Sequence, residues 1–181
     1  MRLKDKYKKE ITPALQKEFG YKNSQLVPRL EKVVLNVGFG HHSKEKEFME
    51  SVARGLTTLS GQKAVFTKAK KSISAFKIRE GMTIGTKVTL RGDRMYDFVE
   101  KLVNIVFPRV RDFRGISEKA VDKTGNLTVG LREFVSFPEI HLEDVDNMFG
   151  LEVCLVTNAK NRAEGLELFR QIGFPFKKEN K

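Results

Sequence analysis

The clearest structural signal in the chain is an alternation of apolar and polar residues over eight positions, Ile84-Gly85-Thr86-Lys87-Val88-Thr89-Leu90-Arg91. Successive side chains of a β-strand point to opposite faces, so the even-numbered residues of this stretch would face a core. The other face would carry Lys87, Thr89 and Arg91 into solvent. A strand with one apolar and one polar face is typical of an antiparallel sheet that helices cover on one side only.

The rest of the chain supplies elements that fit such a sheet. Further strands are predicted at 32–37, 63–67, 126–132 and 151–156, and helices at 4–19, 44–60, 93–107 and 160–172. Pro13 would kink the first helix and Gly20 would end it. Ser43 and Asp93 are the candidate N-caps of the second and third helices. We therefore predict an α+β fold, with a mostly antiparallel open sheet and helices packed on one face.

The charge distribution indicates a nucleic-acid partner. The 181-residue chain, which we expect to form one domain over residues 1–181, carries a net charge of +11. Residues 61–95 contain nine lysines and arginines against two acids, whereas residues 133–159 contain six acids and no lysine or arginine. A surplus of this size is the electrostatic footprint of RNA or DNA binding. The acidic stretch suggests a second kind of contact.

Other functional classes find little support in the sequence. Cys154 is the single cysteine, so no intramolecular disulfide can form, and its apolar neighbours suggest a buried structural thiol. Gly38-Phe39-Gly40 lacks the third glycine of a dinucleotide loop, and His41-His42 has no partner at metal-ligand spacing. No stretch approaches the ~20 apolar residues of a membrane span. We expect no enzymatic activity, no cofactor, no metal site, no membrane contact and a reducing compartment.

The polar face of the predicted sheet is the first candidate RNA-binding surface. Its members are amides, hydroxyls and cations, which can bind phosphate, ribose hydroxyls and base edges. An ordinary solvent-facing sheet is the alternative. The residues are Asn36, Gln62, Lys63, Thr67, Lys87, Thr89 and Arg91.

Residues 68–83 form the second candidate surface, an extended basic loop that we call the basic finger. Half of its residues leading out and half returning would give it a reach of roughly 26 Å. Such a loop suits contact with an RNA backbone, and Phe76 could stack on a base. Alternatively, Ile73, Phe76 and Ile78 fold back onto the core. The finger contains five cations and one acid, namely Lys68, Lys70, Lys71, Lys77, Arg79 and Glu80.

The third candidate surface is the basic segment 108–116, Pro-Arg-Val-Arg-Asp-Phe-Arg-Gly-Ile. Its cations and apolar residues could form a docking segment for a partner. The alternative is a loop whose Phe113 and Ile116 fill the core.

Several ordered motifs resemble one known family, the bacterial-type large-subunit ribosomal protein five family, which binds 5S rRNA. The resemblance covers nearly the whole chain. Ala64, where many members have proline, and His41-His42 depart from the family pattern. The motifs are Leu59-Ser60-Gly61-Gln62, Thr67-Lys68-Ala69-Lys70-Lys71-Ser72, Phe76-Lys77-Ile78-Arg79-Glu80-Gly81, Lys87-Val88-Thr89-Leu90-Arg91-Gly92, the 108–115 segment, Phe137-Pro138-Glu139-Ile140 and Gly173-Phe174-Pro175-Phe176.

This resemblance implies a structural protein of the cytoplasmic ribosome that anchors 5S rRNA in the central protuberance of the large subunit. The polar face would then bind 5S rRNA, through the residues already named. The implied partners also include 23S rRNA and neighbouring large-subunit proteins. Contact with P-site tRNA would fall to Lys70, Lys71, Ser72, Phe76, Lys77 and Arg79. An intersubunit bridge to small-subunit ribosomal protein thirteen would use Arg109, Arg111, Asp112, Phe113 and Arg114, beside the acidic stretch near 133–147.

Two other classes make different demands on the residues. A nucleic-acid-modifying enzyme of ferredoxin-like architecture would need paired carboxylates or a metal cluster on the polar face, yet strand 84–91 carries no acid. A DNA-binding regulator would need an exposed recognition helix rich in Arg and Asn. The cations here concentrate instead on strands and a loop.

Overall fold

A computed structural model of the chain describes residues 2–42, 45–132, 136–139 and 149–177. The strands are β1 Leu30–Gly38, β2 Val65–Lys68, β3 Thr83–Leu90, β4 Leu127–Leu131 and β5 Leu151–Thr157. Helix α1 comprises the α-helical segments Leu3–Lys6 and Thr12–Phe19, with the π-helical turn Tyr7–Ile11 between them. Helix α2 is Lys46–Ser60, and α4 is Arg162–Ile172. Helix α3 comprises Gly92–Lys101, the π-helical turn Leu102–Val106 and Phe107–Arg109.

The five strands form one sheet in the order β2-β3-β1-β5-β4. Strands β2 and β3 pair antiparallel, with Val65 opposite Lys87, Phe66 opposite Thr86 and Thr67 opposite Gly85. The predicted α+β fold, an open antiparallel sheet with helices packed against it, is confirmed. None of the helices in the described part of the chain has the length and apolarity that crossing a membrane requires.

The chain divides into two compact units. Unit 1 contains Met1–Val33, Leu90–Val129 and Cys154–Lys181, and unit 2 contains Val34–Thr89 and Gly130–Val153. The unit boundaries fall inside β1, β3, β4 and β5, so each of these strands has residues in both units. Our expectation of one domain over the whole length stays a prediction.

Unit 1 has a core made largely by helices α1, α3 and α4. Helix α1 turns Ile11 and Leu15 inward, with 1% and 0% of their surface exposed. At the end of α3, Phe107 stacks on Phe113 at 5.2 Å between ring centroids, and it meets Phe174 edge-on at 5.8 Å. Phe174 also meets Phe169 of α4 edge-on, at 5.3 Å between ring centroids. These aromatic contacts pack the C-terminal segment of the chain against α3 and α4.

Unit 2 has a core between helix α2 and the apolar faces of its strands. The helix buries Phe48, Val52, Leu56 and Leu59, whose spacing of three and four residues gives a single apolar stripe. The strands contribute buried side chains on one face only, as in the pattern around Val88 in β3. Packing on one face leaves the other available for a ligand.

Gly85 shows how closely the strands approach one another on the uncovered face. A Cβ atom at this position would lie 2.7 Å from the backbone oxygen of Val37 and 3.1 Å from Oγ1 of Thr67. Backbone atoms cannot yield as a flexible side chain can, so the position requires glycine. Because Gly85 has no side chain, the Thr67 hydroxyl group can lie directly over β3.

The helix starts differ from the sequence prediction. The N-cap of α3 is Arg91, in an extended conformation and with no capping side-chain hydrogen bond, whereas Asp93 lies in the first turn. Asp93 is the second residue of the helix and so cannot be its N-cap, and its carboxylate is paired with Lys4. The N-cap of α2 is Glu45, and the predicted cap Ser43 lies outside the described residues. In α1 the irregularity is the π-helical turn that ends two residues before Pro13.

We expect Gly85→Ala to lower the free energy of unfolding by about 1–3 kcal/mol, because the added methyl group collides with β1 backbone. Gly130→Ala is the matched control, since nothing lies within 4 Å of a Cβ added in β4. Its free energy of unfolding should change by no more than about 0.5 kcal/mol. Urea unfolding of both variants measures the difference, and equal stabilities would contradict the close approach at Gly85.

Candidate nucleic-acid interface

The uncovered face of unit 2 presents hydroxyl, amide and ammonium groups on neighbouring strands. Lys87 of β3 is exposed, whereas Thr67 of β2 and Thr89 of β3 are half-buried. The β2–β3 register places Val65 beside Lys87 on this face, with 59% of its surface exposed. Val65 was not predicted as part of this face, since an exposed valine on an edge strand has the same sequence pattern as a core valine.

Gln62 and Thr89 are brought together by a direct hydrogen bond. The Gln62 Nε2 group donates to the backbone oxygen of Thr89 at 3.2 Å. Ser60 stabilises the turn that contains Gln62. Its hydroxyl donates to the Leu56 carbonyl at 2.7 Å and accepts from the Gln62 N–H at 3.3 Å. The amide is thus held in one orientation before any ligand arrives.

Asn36 lies beside an acid on the same face. Its Nδ2 group donates to Oε2 of Glu152, 3.4 Å away, from β1 to β5. Glu152 was not predicted as a site residue, although alternation in 151–156 places it on the polar face. An open groove of about 520 Å³ lies here, lined by residues that include Asn36, Gly38, Gly130, Arg132 and Glu152.

Besides Gln62, two of the predicted face residues lie outside the strands. Lys63 is exposed in the connection between α2 and β2. Arg91 was predicted to be the last residue of strand 84–91, but β3 ends at Leu90, and Arg91 begins α3 as its exposed N-cap. The chain turns into the helix at this point, so strand alternation no longer determines the direction of the Arg91 side chain.

The basic finger is more ordered than the predicted irregular loop. Its two sides pair through Ala69 N–H to Met82 oxygen at 2.8 Å, and through reciprocal bonds between Ile73 and Ile78 at 2.9 and 3.1 Å. A 3-10 turn, Ser74–Phe76, forms the tip, and Ser72 Oγ accepts from the Glu80 N–H at 2.9 Å. The finger therefore continues the β2–β3 hairpin beyond the ends of the strands.

The tip of the finger is exposed. Phe76 has 71% of its surface exposed and Ile73 has 46%, so neither is folded back onto a core, and only Ile78 is half-buried. The predicted polar residues around them, Lys70, Lys71, Ser72, Lys77 and Arg79, are all exposed. The finger thus combines an accessible aromatic ring with a dense positive charge.

Segment 108–116 belongs partly to the core of unit 1. Ile116 is buried, and Phe113 is half-buried against Phe107, so the alternative in which these two residues fill the core is correct. The polar residues of the segment, Arg109, Arg111, Asp112 and Arg114, are exposed. Most of the acidic stretch near 133–147 lies outside the described residues.

Within the ranges described, no three His, Cys, Asp or Glu side chains come together as a metal ion would require. Cys154 is half-buried rather than fully buried, and its Sγ lies 3.7 Å from Oγ1 of Thr128. What the face offers is hydrogen bonding and positive charge, which suit recognition.

The whole chain matches known proteins of one kind. Residues 83–176 match the family model that describes the C-terminus of ribosomal protein L5, and residues 23–79 match the model of ribosomal protein L5 itself. Large ribosomal subunit protein uL5 of Fervidobacterium nodosum is 55% identical over 98% of this chain and 96% of its own length.

Other bacterial relatives agree with this match. The protein of the same name from Desulfatibacillum aliphaticivorans is 54% identical, over 97% of this chain and 98% of its own length. The one from Carboxydothermus hydrogenoformans is 51% identical over the same shares. These names are those of a structural ribosomal protein, so the expectation that the chain has no enzymatic activity is confirmed. The chain belongs to the ribosomal protein L5 family, also named uL5.

Proposed function

We propose that this chain is a structural constituent of the large ribosomal subunit that binds 5S rRNA and anchors it in the central protuberance. The observation that carries the proposal is the uncovered polar face of the sheet. Gln62 and Thr89 are joined there by a hydrogen bond, and Lys87 stands exposed on the same strand as Thr89. The mechanism is binding alone, with no chemical step.

Affinity and selectivity come from different groups on this face. Lys87 and Lys63 supply phosphate neutralisation, which raises affinity for any RNA and weakens as salt increases. Asn36, Gln62, Thr67 and Thr89 supply oriented donors and acceptors for ribose hydroxyls and base edges. Because these polar groups are held by the fold, little conformational freedom is lost when RNA binds.

The basic finger is assigned to P-site tRNA. Its paired sides lift Phe76 and the surrounding cations away from the strands, and all of them are accessible. A cationic tip suits a phosphate backbone, and the ring of Phe76 can stack on a base. The finger therefore supplies a contact separate from the sheet face.

The remaining partners are protein and 23S rRNA. The exposed Arg109, Arg111, Asp112 and Arg114 are assigned to an intersubunit bridge with small-subunit ribosomal protein thirteen, and Phe113 supports them by packing on Phe107. The acidic stretch near 133–147 would be the counterpart of that protein's basic surface. Contacts with 23S rRNA and neighbouring large-subunit proteins complete the assembly.

We expect Lys87→Ala to weaken 5S rRNA binding about 3- to 10-fold and to reduce the slope of log affinity against log salt by about 1, because one phosphate contact is lost. Lys123→Ala is the matched control, since Lys123 is also exposed but lies in a turn before β4. Filter binding to 5S rRNA and to a random RNA of equal length provides the measurement. If wild-type protein binds both RNAs equally and loses both with salt, the net charge alone drives association and the shape-specific face is refuted.

A shortened finger should separate the two RNA contacts. Because Ala69 and Met82 are hydrogen-bonded, an Asn-Gly turn can replace residues 70–81 without breaking their pairing. We expect 5S rRNA affinity to stay within about twofold, since the sheet face is retained, while reconstituted ribosomes bind P-site tRNA more weakly.

The double variant Lys71→Ala/Lys77→Ala keeps the finger's length and is the control for it. It should show a smaller loss of tRNA binding than the shortened finger. Loss of 5S rRNA binding in the shortened protein would contradict the assignment of separate roles.

A further inference from the structure

Strand β2 lies at one end of the sheet, and within the described ranges no strand pairs with its outer side. We call this outer side, formed by Val65–Lys68, the β2 edge. An edge strand presents backbone N–H and C=O groups with which another strand can pair. Strand β4, at the other end of the sheet, exposes only Thr128 and Gly130, so it offers an added strand no apolar side chain.

The pairing of β2 with β3 determines which backbone groups of β2 point outward. The Thr86 hydroxyl donates to the Val65 carbonyl at 3.2 Å, so this carbonyl points toward β3. The backbone groups of successive residues in a strand point to opposite sides, so the N–H and C=O of Phe66 point away from β3. A residue of an added antiparallel strand could form hydrogen bonds with both groups.

Accessible apolar side chains lie on both faces of β2. Val65 has 59% of its surface exposed on the uncovered face, and Phe66 has 44% exposed on the opposite face. The Phe66 ring lies 6.2 Å from that of Phe39, which lies 6.2 Å from that of Phe48. Successive side chains of an added strand alternate between faces, so one would cover Val65 and the next would cover Phe66.

Exposed cations surround the β2 edge. Lys63 precedes the strand, Lys68 ends it, and the strand register places Lys87 opposite Val65. Residues 51–79 contain no aspartate or glutamate. Lysines on an edge strand repel another copy of the same edge, whereas a strand with carboxylates would be attracted. The charge therefore disfavours a second copy of this chain and favours an acidic partner.

We propose that the β2 edge is a docking site for a protein partner, whose extended segment of β-branched residues between acids joins the sheet as an antiparallel strand. Main-chain hydrogen bonds to Phe66 hold the segment, and its apolar side chains cover Val65 and Phe66. Its acids lie near Lys63 and Lys68. RNA would satisfy these lysines, but a sugar–phosphate backbone neither covers Val65 nor continues the hydrogen bonding of the sheet.

Docking at the β2 edge does not depend on 5S rRNA binding. Lys63 and Lys87 also belong to the proposed RNA surface, but the backbone groups and the ring of Phe66 do not. The docking experiment contains no 5S rRNA. Failure of the chain to bind 5S rRNA would therefore leave the docking site standing, and the reverse also holds.

The probe is a synthetic peptide, Glu-Asp-Val-Thr-Ile-Val-Asp-Glu, which is titrated into the isotope-labelled full-length protein. One control peptide has lysine in place of every acid. A second has proline in place of threonine and isoleucine, which removes two backbone donors and prevents strand pairing. Affinity is measured by calorimetry, and hydrogen exchange at the Phe66 amide is measured by NMR.

We expect the acidic peptide at saturation to slow hydrogen exchange at the Phe66 amide at least about tenfold, because this N–H becomes hydrogen-bonded. Neither control peptide should slow it. Val65→Thr/Phe66→Thr keeps β-strand propensity but removes both apolar contacts, and it should weaken peptide binding at least about fivefold. Leu26→Thr/Ile105→Thr removes two exposed apolar side chains of unit 1 and should bind like wild type.

A charge variant tests the docking site without altering its apolar residues. Lys63→Gln/Lys68→Gln should weaken binding of the acidic peptide about threefold or more, and the loss should shrink as salt increases. Lys17→Gln/Lys22→Gln is the matched control, since both lysines are exposed and lie far from β2 in the chain. Thermal unfolding establishes that each variant folds.

Three results would overturn the docking site. The first is unchanged exchange at the Phe66 amide when the acidic peptide is in excess. The second is equal binding of the acidic and lysine peptides, which would remove the charge complementarity. The third is protection of the Phe66 amide by a uridine oligonucleotide and not by the peptide, which would make the β2 edge an RNA contact.

Discussion

The antiparallel pairing of β2 with β3 is the constraint on which the other features of unit 2 depend. It sets Thr86 and Val88 toward the core, and it sets Thr67, Lys87 and Thr89 on the uncovered face. A shift of one residue would exchange the two faces, burying Lys87 and exposing Val88. The buried apolar side chains make that shift costly, so the hydrophobic core fixes the arrangement of the polar groups as well.

The same pairing gives the basic finger its form. Beyond Lys68 and Thr83 the two sides of the hairpin remain hydrogen-bonded, at Ala69–Met82 and again at Ile73–Ile78. Each of these hydrogen bonds reduces the number of unpaired residues in the loop. Phe76 therefore lies at the end of a paired hairpin and not in an irregular loop. Ordering such a stem costs entropy once, during folding, and that cost is not repeated when a ligand binds.

The elements that were predicted correctly are those in which apolar residues repeat at the spacing of a strand or a helix. Strand 84–91 was recognisable because Val88 and Leu90 alternate with Lys87, Thr89 and Arg91, and α2 because Phe48, Val52, Leu56 and Leu59 repeat at helical spacing. The errors lie at the ends of elements, which a local pattern does not fix. Asp93 is a good N-cap by type, but the helix begins at Gly92, so Asp93 lies in its first turn, where its carboxylate pairs with Lys4, 89 positions away.

The candidate site shows the same division. Alternation identified Asn36, Thr67 and Thr89, but nothing local in the sequence connects Asn36 to Glu152 or places Val65 in the open. Likewise, the π-helical turns at Tyr7–Ile11 and Leu102–Val106 have no reliable local signature. The pairing of the strands has to be known before the Asn36–Glu152 contact or the exposure of Val65 can be predicted.

If the sheet face binds RNA as proposed, Glu152 would make that binding selective as well as charge-driven. A carboxylate on this face repels phosphate, and its bond from Asn36 holds it at the edge of an open groove. RNA that lies flat and presents only phosphates would therefore be disfavoured at this point. An RNA that turns a hydrogen-bond donor toward the groove could satisfy the carboxylate, because base amino groups are donors that acidic side chains accept. In the proposed interface, Glu152 would thus add a requirement on RNA shape to general attraction, since the phosphate path would follow Lys87 and leave Glu152 to a base or to water.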